Sequence, residues 1–267
     1  MLAVKAISGN KPSQTRRREI LDFIKNRRHC TVEEIGQQFD VSIPTIYRDV
    51  NELAGEGLIS RTHGGVGYIE AESRPEDWAQ SRFGERMTRQ LDAKRKIARK
   101  AATLLQEDDV VFLDSSTTVL QLAREAAALN LGRLTIITNS CAIINEFPSL
   151  PPTMTLISIG GTYNPQLHSF LGGIATKTVE SMRITKLFFS AVGISVNGAF
   201  TFQEDHARFL GGLTDMASPI LLADSSKFQR EALFGICDLT KLSVLVSDTQ
   251  PPEDIQEACT KSQTRIL

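Results

Sequence analysis

A chain of 267 residues with 41% apolar content is long for one domain and comfortable for two, each with its own core. The formal net charge of −1 excludes a polycation, so any attraction to nucleic acid must come from charge segregated along the chain. The four cysteines lack CxxC or metal-ligand spacing and no apolar run approaches the roughly 18 residues of a membrane span, which points to reduced thiols, no metal or cofactor, and a cytoplasmic protein.

Residues 1–13 read as a flexible leader without a secretory apolar stretch. From Gln14 the run RRREILDFIKNRR predicts a helix with Ile20, Leu21 and Ile24 inward and its arginines outward. Between Lys11 and Arg28 seven positive residues face only Glu19 and Asp22, so this segment carries the segregated charge, with Arg17 and Arg18 as candidate phosphate contacts. Thr31 can cap a second helix through Val32, Ile35 and Phe39, and Asp40-Val41 marks its end. Ser42 opens a third helix, with Pro44 tolerated in its first turn because an amide proton there would lack a helical partner. At 100° per residue Ile43, Ile46, Val50 and Leu53 share an inward stripe, while Pro44, Thr45, Arg48 and Glu52 lie opposite. Two β-prone runs around glycines follow, Leu58 to Thr62 and Val66 to Ile69, and read as a wing behind a helix-turn-helix. A helix of this width fits the DNA major groove, and a hairpin bearing Arg61 and His63 can lie on the neighbouring backbone or minor groove. The candidate contacts to double-stranded operator DNA are therefore Arg17, Arg18, Ser42, Pro44, Thr45, Tyr47, Arg48, Arg61 and His63.

The stretch TIYRDVNELAGEGLISRTHGG resembles the winged-helix signature of the DeoR family of bacterial transcriptional regulators, in Thr45, Arg48-Asp49, Leu53, Gly57-Leu58, Arg61 and His63-Gly64-Gly65. The family usually has a second arginine where this chain has Tyr47, and a phenol offers base edges and phosphates different donors from a guanidinium.

After Ile69 the composition turns charged and poor in aliphatic residues, which predicts a linker over 71–92 between a DNA-binding domain at 14–70 and a second domain at 93–267. In that second domain helical patterns alternate with apolar runs at Asp109 to Leu113, Leu134 to Thr138, Met154 to Ile159, Lys186 to Ser190, Ile220 to Ala223 and Leu242 to Ser247. Strands of this kind predict an α/β fold with a parallel sheet covered on both faces, and ligands on such sheets sit outside the carboxyl ends of the strands. The polar clusters stand at those ends: Asp114-Ser115-Ser116-Thr117-Thr118, Asn139-Ser140, Gly160-Gly161-Thr162 and Asp224-Ser225-Ser226-Lys227. The first is a loop of small hydroxyl residues entering a helix, which can hold an anion or can simply cap the helix. Lys227 can neutralise a phosphate or hold Asp224.

The segments DSSTT, ITNS, GGT, LGG and ADSSKF are similar to the effector domain of the same family, whose fold is similar to ribose-5-phosphate isomerase. The resemblance implies a phosphorylated sugar or related metabolite as ligand, with Ser116, Thr117, Thr118 and Lys227 toward the phosphate and Asp224 toward a hydroxyl. It also implies a homo-oligomer, dimer or tetramer, acting most often as a repressor of sugar or polyol genes. Asp114, Ser115, Asn139 and Gly161 complete the candidate effector site.

The competing reading is a sugar-phosphate isomerase or transferase with an accessory DNA-binding module. The isomerases resembled place acidic residues after the strand corresponding to KLFFS, whereas this chain has Ser190-Ala191-Val192-Gly193-Ile194, and proton shuttling needs a carboxylate within reach. Regulators of the family often keep an Asp where Val192 stands. Glu204, Asp205 and His206 read as helix capping and surface charge, and His168 as a loop or subunit-contact residue.

Overall fold

A computed structural model describes residues 13–27, 29–55, 58–62, 65–68, 83–129, 131–147 and 150–267. The leader to residue 12, His63, Gly64 and the linker over 71–82 lie outside the described residues. The chain forms two compact units, Met1–Arg89 and Gln90–Leu267.

In the first unit three helices precede a small antiparallel sheet. Helix α1 (Ser13–Arg27) leads into β1 (His29–Cys30), α2 (Val32–Phe39) and α3 (Ile43–Gly55), and β2 (Ile59–Thr62) pairs with β3 (Gly65–Tyr68). The sheet order is β1-β3-β2, so the predicted wing gains a third strand from His29–Cys30, just ahead of the Thr31 cap of α2. Thr31 caps α2 reciprocally: Glu34 N–H donates to Thr31 Oγ1 at 3.2 Å and Thr31 N–H to Glu34 Oε2 at 2.8 Å. Asp40 ends the helix in the left-handed region, φ 49°, which a short polar side chain tolerates, and so sets the sharp turn into α3. Ile20, Ile24, Ile35, Ile46, Val50 and Val66 make the core, each at most 1% exposed. Ile43 departs from the expected inward stripe: at 37% exposed it covers the α2–α3 turn rather than the core. Gly36 is the reason, since a Cβ there would stand 2.9 Å from Ile43 Cδ1, and the side chain lies over that gap. A short helix, α4 (Phe83–Thr88), occupies part of the stretch read as linker, with Phe83 buried.

The second unit is built on seven parallel strands in the order β15-β14-β12-β9-β4-β5-β6. These are β4 (Asp109–Leu113), β5 (Leu134–Thr138), β6 (Met154–Ser158), β9 (Lys186–Phe189), β12 (Ser218–Ala223), β14 (Val244–Ser247) and β15 (Arg265–Ile266). Helices α5 (Leu91–Ala102), α6 (Thr117–Ala128), α7 (Cys141–Glu146), α8 (Gly173–Glu180), α9 (Glu204–Thr214) and α10 (Glu253–Lys261) punctuate them. Val111, Phe112 and Leu113 are consecutive and all at most 1% exposed, so both faces of β4 are covered, as its unbroken apolar run requires. The chain enters at β4, runs outward through β5 and β6, then returns to β9 on the other side of β4 and continues to β15. That reversal puts the topological switch point between β4 and β9, the place on such a sheet where ligands bind outside the carboxyl ends of the strands.

Two further pieces are too short to read from sequence. A hairpin of β7 (Thr162–Asn164) and β8 (Ser169–Leu171) stands between β6 and α8, and β10 (Gly193–Ser195), β11 (Gly198–Thr201) and β13 (Phe234–Cys237) form an antiparallel sheet.

Candidate functional site

Helix α3 presents two unlike faces. Its start is set by Ser42, whose carbonyl accepts the amides of Thr45 at 2.9 Å and Ile46 at 3.1 Å while its hydroxyl meets Thr45 Oγ1 at 2.9 Å. Pro44, Tyr47 and Arg48 are exposed, Tyr47 at 41%, and Asn51 falls on the same i, i+3, i+4, i+7 stripe and is exposed too. Asn51 escaped the sequence reading because asparagine carries no periodic signal, yet its amide offers both donor and acceptor to a base edge.

On the other side Asp49 is 3% exposed and takes two bonds from Arg16, Nε to Oδ2 at 2.6 Å and Nη2 to Oδ1 at 3.2 Å. The hydrogen bonds to Asp49 raise the Arg16 pKa further above its ordinary value. Arg17, expected to face phosphate, is instead ion-paired with Glu52 on α3. The outward set on α1 is corrected accordingly: Arg16 and Arg17 reach α3 because α1 packs across it, and Arg18 remains exposed. Arg61 lies in β2 with its backbone opposite Val66, and His63 falls outside the described residues.

In the second unit the carboxyl edge of the sheet gathers the polar clusters. Asp114, fully buried after β4, spans the switch point: Oδ1 accepts the Ser116 amide at 2.8 Å and Oδ2 the Ser190 amide at 3.1 Å, from the loop after β9. Ser116 caps α6, its Oγ accepting the Val119 amide at 3.2 Å. Asp114 and Ser116 therefore fix the shape of the loop, and Thr117 and Thr118 stand buried in the first turn of α6, beside the positive end of its dipole.

Next to it, Thr138 Oγ1 donates to the Leu113 carbonyl at 2.7 Å and ties the end of β5 to that of β4. Asn139 follows, fully buried, its Nδ2 donating to the Phe170 carbonyl at 3.2 Å and its Oδ1 without a partner. Gly161, φ 149°, is there for close approach, since a Cβ would stand 2.5 Å from the Leu171 carbonyl of the hairpin. On the far side Asp224 caps the turn Ser225–Lys227: its Oδ1 accepts the Ser226 amide at 3.1 Å and the Ser226 hydroxyl, while Oδ2, in a residue 1% exposed, has no partner. Lys227 is buried in the same turn.

Sequence reasoning missed what holds this flank. Asp248, after β14, accepts the Ser225 amide at 2.8 Å, while Lys96 and Lys100 of α5 donate to the carbonyls of Asp248 at 2.5 Å and Ser247 at 2.7 Å. Partners some 150 residues apart leave no local trace. His206 is also corrected: it is 7% exposed rather than surface charge, because its place on α9 turns it inward to meet Thr201 Oγ1 at 3.3 Å. Glu204 stays outside, paired with Arg208. In the loop after β9, Val192 is spent on backbone pairing, its amide donating to the Phe200 carbonyl at 2.8 Å. Asp114, whose carboxylate meets that loop at the Ser190 amide, already accepts an amide on each oxygen.

Among the described residues no helix is long and apolar enough to cross a membrane. Two family models match the chain: the DeoR-like helix-turn-helix domain over residues 16–72 and the DeoR C-terminal sensor domain over 89–249. The L-fucose operon activator of Haemophilus influenzae is 32% identical, covering 90% of this chain and 94% of its own. The lactose phosphotransferase system repressor of Streptococcus mutans is 32% identical over 91% of this chain and 95% of its own. Among solved structures, translation initiation factor eIF2B delta from Chaetomium thermophilum is 12% identical with a TM-score of 0.45, covering 89% of this chain and 72% of its own. Ribose 5-phosphate isomerase A from Neisseria gonorrhoeae is 12% identical with a TM-score of 0.36, covering 51% of this chain and 52% of its own. With a helix-turn-helix at its start, a sensor domain over most of the remainder and regulators as full-length relatives, the chain belongs to the DeoR family of transcriptional regulators.

Proposed function

We propose that this protein represses genes of sugar or polyol metabolism by binding operator DNA through the exposed face of α3, and that a phosphorylated sugar in the crevice of the second unit changes that binding. The observation that carries the reading is the carboxyl edge at the β4–β9 switch point, where a helix N-terminus stands between buried acceptors, Asn139 Oδ1 and Asp224 Oδ2, that no protein group satisfies. Strands spaced ~4.8 Å apart put the ends of β4 and β12 roughly 10 Å from each other, the length of a small sugar phosphate. A phosphate over Thr117 and Thr118 with Lys227 as counter-charge then leaves the sugar hydroxyls to the flanking acceptors, Asp224 and Asn139. Asp114, Ser115 and Ser116 shape the loop, and Gly161 lets the neighbouring hairpin close.

On the DNA side Ser42, Pro44, Thr45, Tyr47, Arg48 and Asn51 supply the groove-facing surface and Arg18 a phosphate contact, while Arg61 and His63 are carried over from the sequence as wing candidates. The division into a DNA-binding domain over 14–70, a linker and an effector domain from 93, a paired cytoplasmic assembly reading repeated half-sites, and the absence of turnover belong to the same reading. It is tested by titrating the protein onto its own promoter DNA with and without a panel of pentose, hexose and polyol phosphates. Loss of DNA binding with one of them, the compound recovered unchanged, is expected. Conversion of the compound, abolished by a change at Asp114, would establish the isomerase reading in its place.

A further inference from the structure

Buried polar atoms without a partner are few in native proteins, and a pair on adjoining backbone asks for an explanation. Asn139 Oδ1 and Ser169 Oγ are such a pair: both residues are fully buried, and neither atom has a protein partner. Ser169 belongs to β8, in the hairpin that sequence alone does not reveal, and pairs in a β-bridge with Ser140, the residue after Asn139.

The two segments are held firmly. Phe170 N–H donates to the Asn139 carbonyl at 2.9 Å, Cys141 N–H to the His168 carbonyl at 2.9 Å, and Asn139 Nδ2 to the Phe170 carbonyl at 3.2 Å. The last bond fixes the amide: a carbonyl accepts only from the NH2 side, so Oδ1 is the atom left over. His168 turns the hairpin at φ 54°, in the left-handed region that a non-glycine residue enters at a cost, and a side-chain chain from Asn164 to Gln203 at 2.7 Å and Gln203 to Gln166 at 2.6 Å ties the hairpin to the start of α9.

We propose that this hairpin is the hydroxyl-reading wall of the effector crevice, with Asn139 Oδ1 and Ser169 Oγ receiving and exchanging hydrogen bonds with a polyhydroxylated ligand. The inference rests on the carboxyl edge being the effector site, and it adds the chemical class selected on the β5 side. An acceptor such as Oδ1 needs a donor, so a ligand of phosphate and carbonyl groups alone leaves it unsatisfied, whereas a sugar or polyol hydroxyl supplies one.

Ser169→Ala is the clean test, because it removes an atom that has no protein partner. The unliganded variant is expected to melt at the same temperature as wild type or higher, and to bind its promoter DNA unchanged. Calorimetry with pentose, hexose and polyol phosphates, their deoxy analogues and inorganic phosphate should show the best wild-type ligand weakened about tenfold in the variant. The analogue lacking the hydroxyl that Ser169 meets should bind both proteins alike. Equal binding of every sugar phosphate by wild type and variant would overturn the wall and leave the effector site standing. A lower melting temperature would make Ser169 a structural residue and overturn it as well. Wild type binding no member of the panel would bring down both readings, and inorganic phosphate binding as tightly as any sugar phosphate would remove the hydroxyl selection alone.

Discussion

Arg48 and Asp49 are neighbours in sequence, and a turn of 100° sends one to solvent and the other to Arg16. Their substitutions should therefore fail differently. Arg48→Ala is expected to leave the melting temperature alone and to weaken binding to the specific promoter site by about 1–3 kcal/mol, measured against random duplex of equal length. Asp49→Ala instead removes the carboxylate that takes two bonds from the Arg16 guanidinium, 17% exposed, and should lower the stability of the first unit by roughly 2–4 kcal/mol in urea unfolding. If Arg48→Ala weakened all DNA equally, Arg48 would be a phosphate contact and not a reader of bases. The cysteines give a separate check. Burial pushes the Cys237 thiol up to about 12, and burial is also the main cause raising Cys30, Cys141 and Cys259. A raised thiol pKa means almost no thiolate at pH 8, so iodoacetamide should label the folded protein far more slowly than the protein in urea. Rapid labelling of Cys237 in the native state would contradict its place at the end of β13, paired with Ala199 of β11.

At the scale of elements, α6 begins where two readings of the DSSTT loop meet. Ser116 caps the helix through Val119, and that cap uses the Ser116 hydroxyl alone. Thr117→Val keeps the shape and removes the hydroxyl, so it should blunt the effector response while promoter binding without effector is unchanged; an undiminished response would reduce the loop to a cap. What was legible from sequence follows from periodicity. Strands such as Val110-Val111-Phe112-Leu113 are buried on both faces and read as unbroken apolar runs, and the capped amphipathic helices read as clearly. The β7–β8 hairpin did not, because three-residue strands stabilised by pairing with residues 139–141 carry no period of their own. The placement of Arg16 on Asp49, 33 positions away, and of Lys96 on Asp248, 152 away, is likewise set by tertiary packing. Ile43 shows the limit of a helical wheel: its angle is inward, but a glycine opposite left it at the rim.

For the whole molecule the constraint is thermodynamic and does not depend on how the two units are arranged. Whatever factor the effector imposes on promoter affinity, the promoter must impose on effector affinity, because the two binding free energies close a cycle. Couplings of this kind are typically about 5–150-fold, and an effector that binds both arrangements equally shifts nothing however tightly it is held. Titrating the sugar phosphate into free protein and into protein saturated with promoter duplex should thus give two affinities whose ratio equals the loss of DNA affinity measured at saturating effector. The Asn139–Ser169 wall makes the same cycle discriminating. A ligand lacking the hydroxyl it reads should bind more weakly in both titrations, and its coupling should fall only if that wall differs between the two arrangements. Should the two ratios disagree beyond error with wild-type protein, a third species is present, and the simplest one is a change in subunit assembly. Repeating both titrations across a tenfold range of protein concentration tests that directly: a ratio that drifts with concentration assigns part of the switch to oligomerisation, while a constant one confines it to each bound assembly.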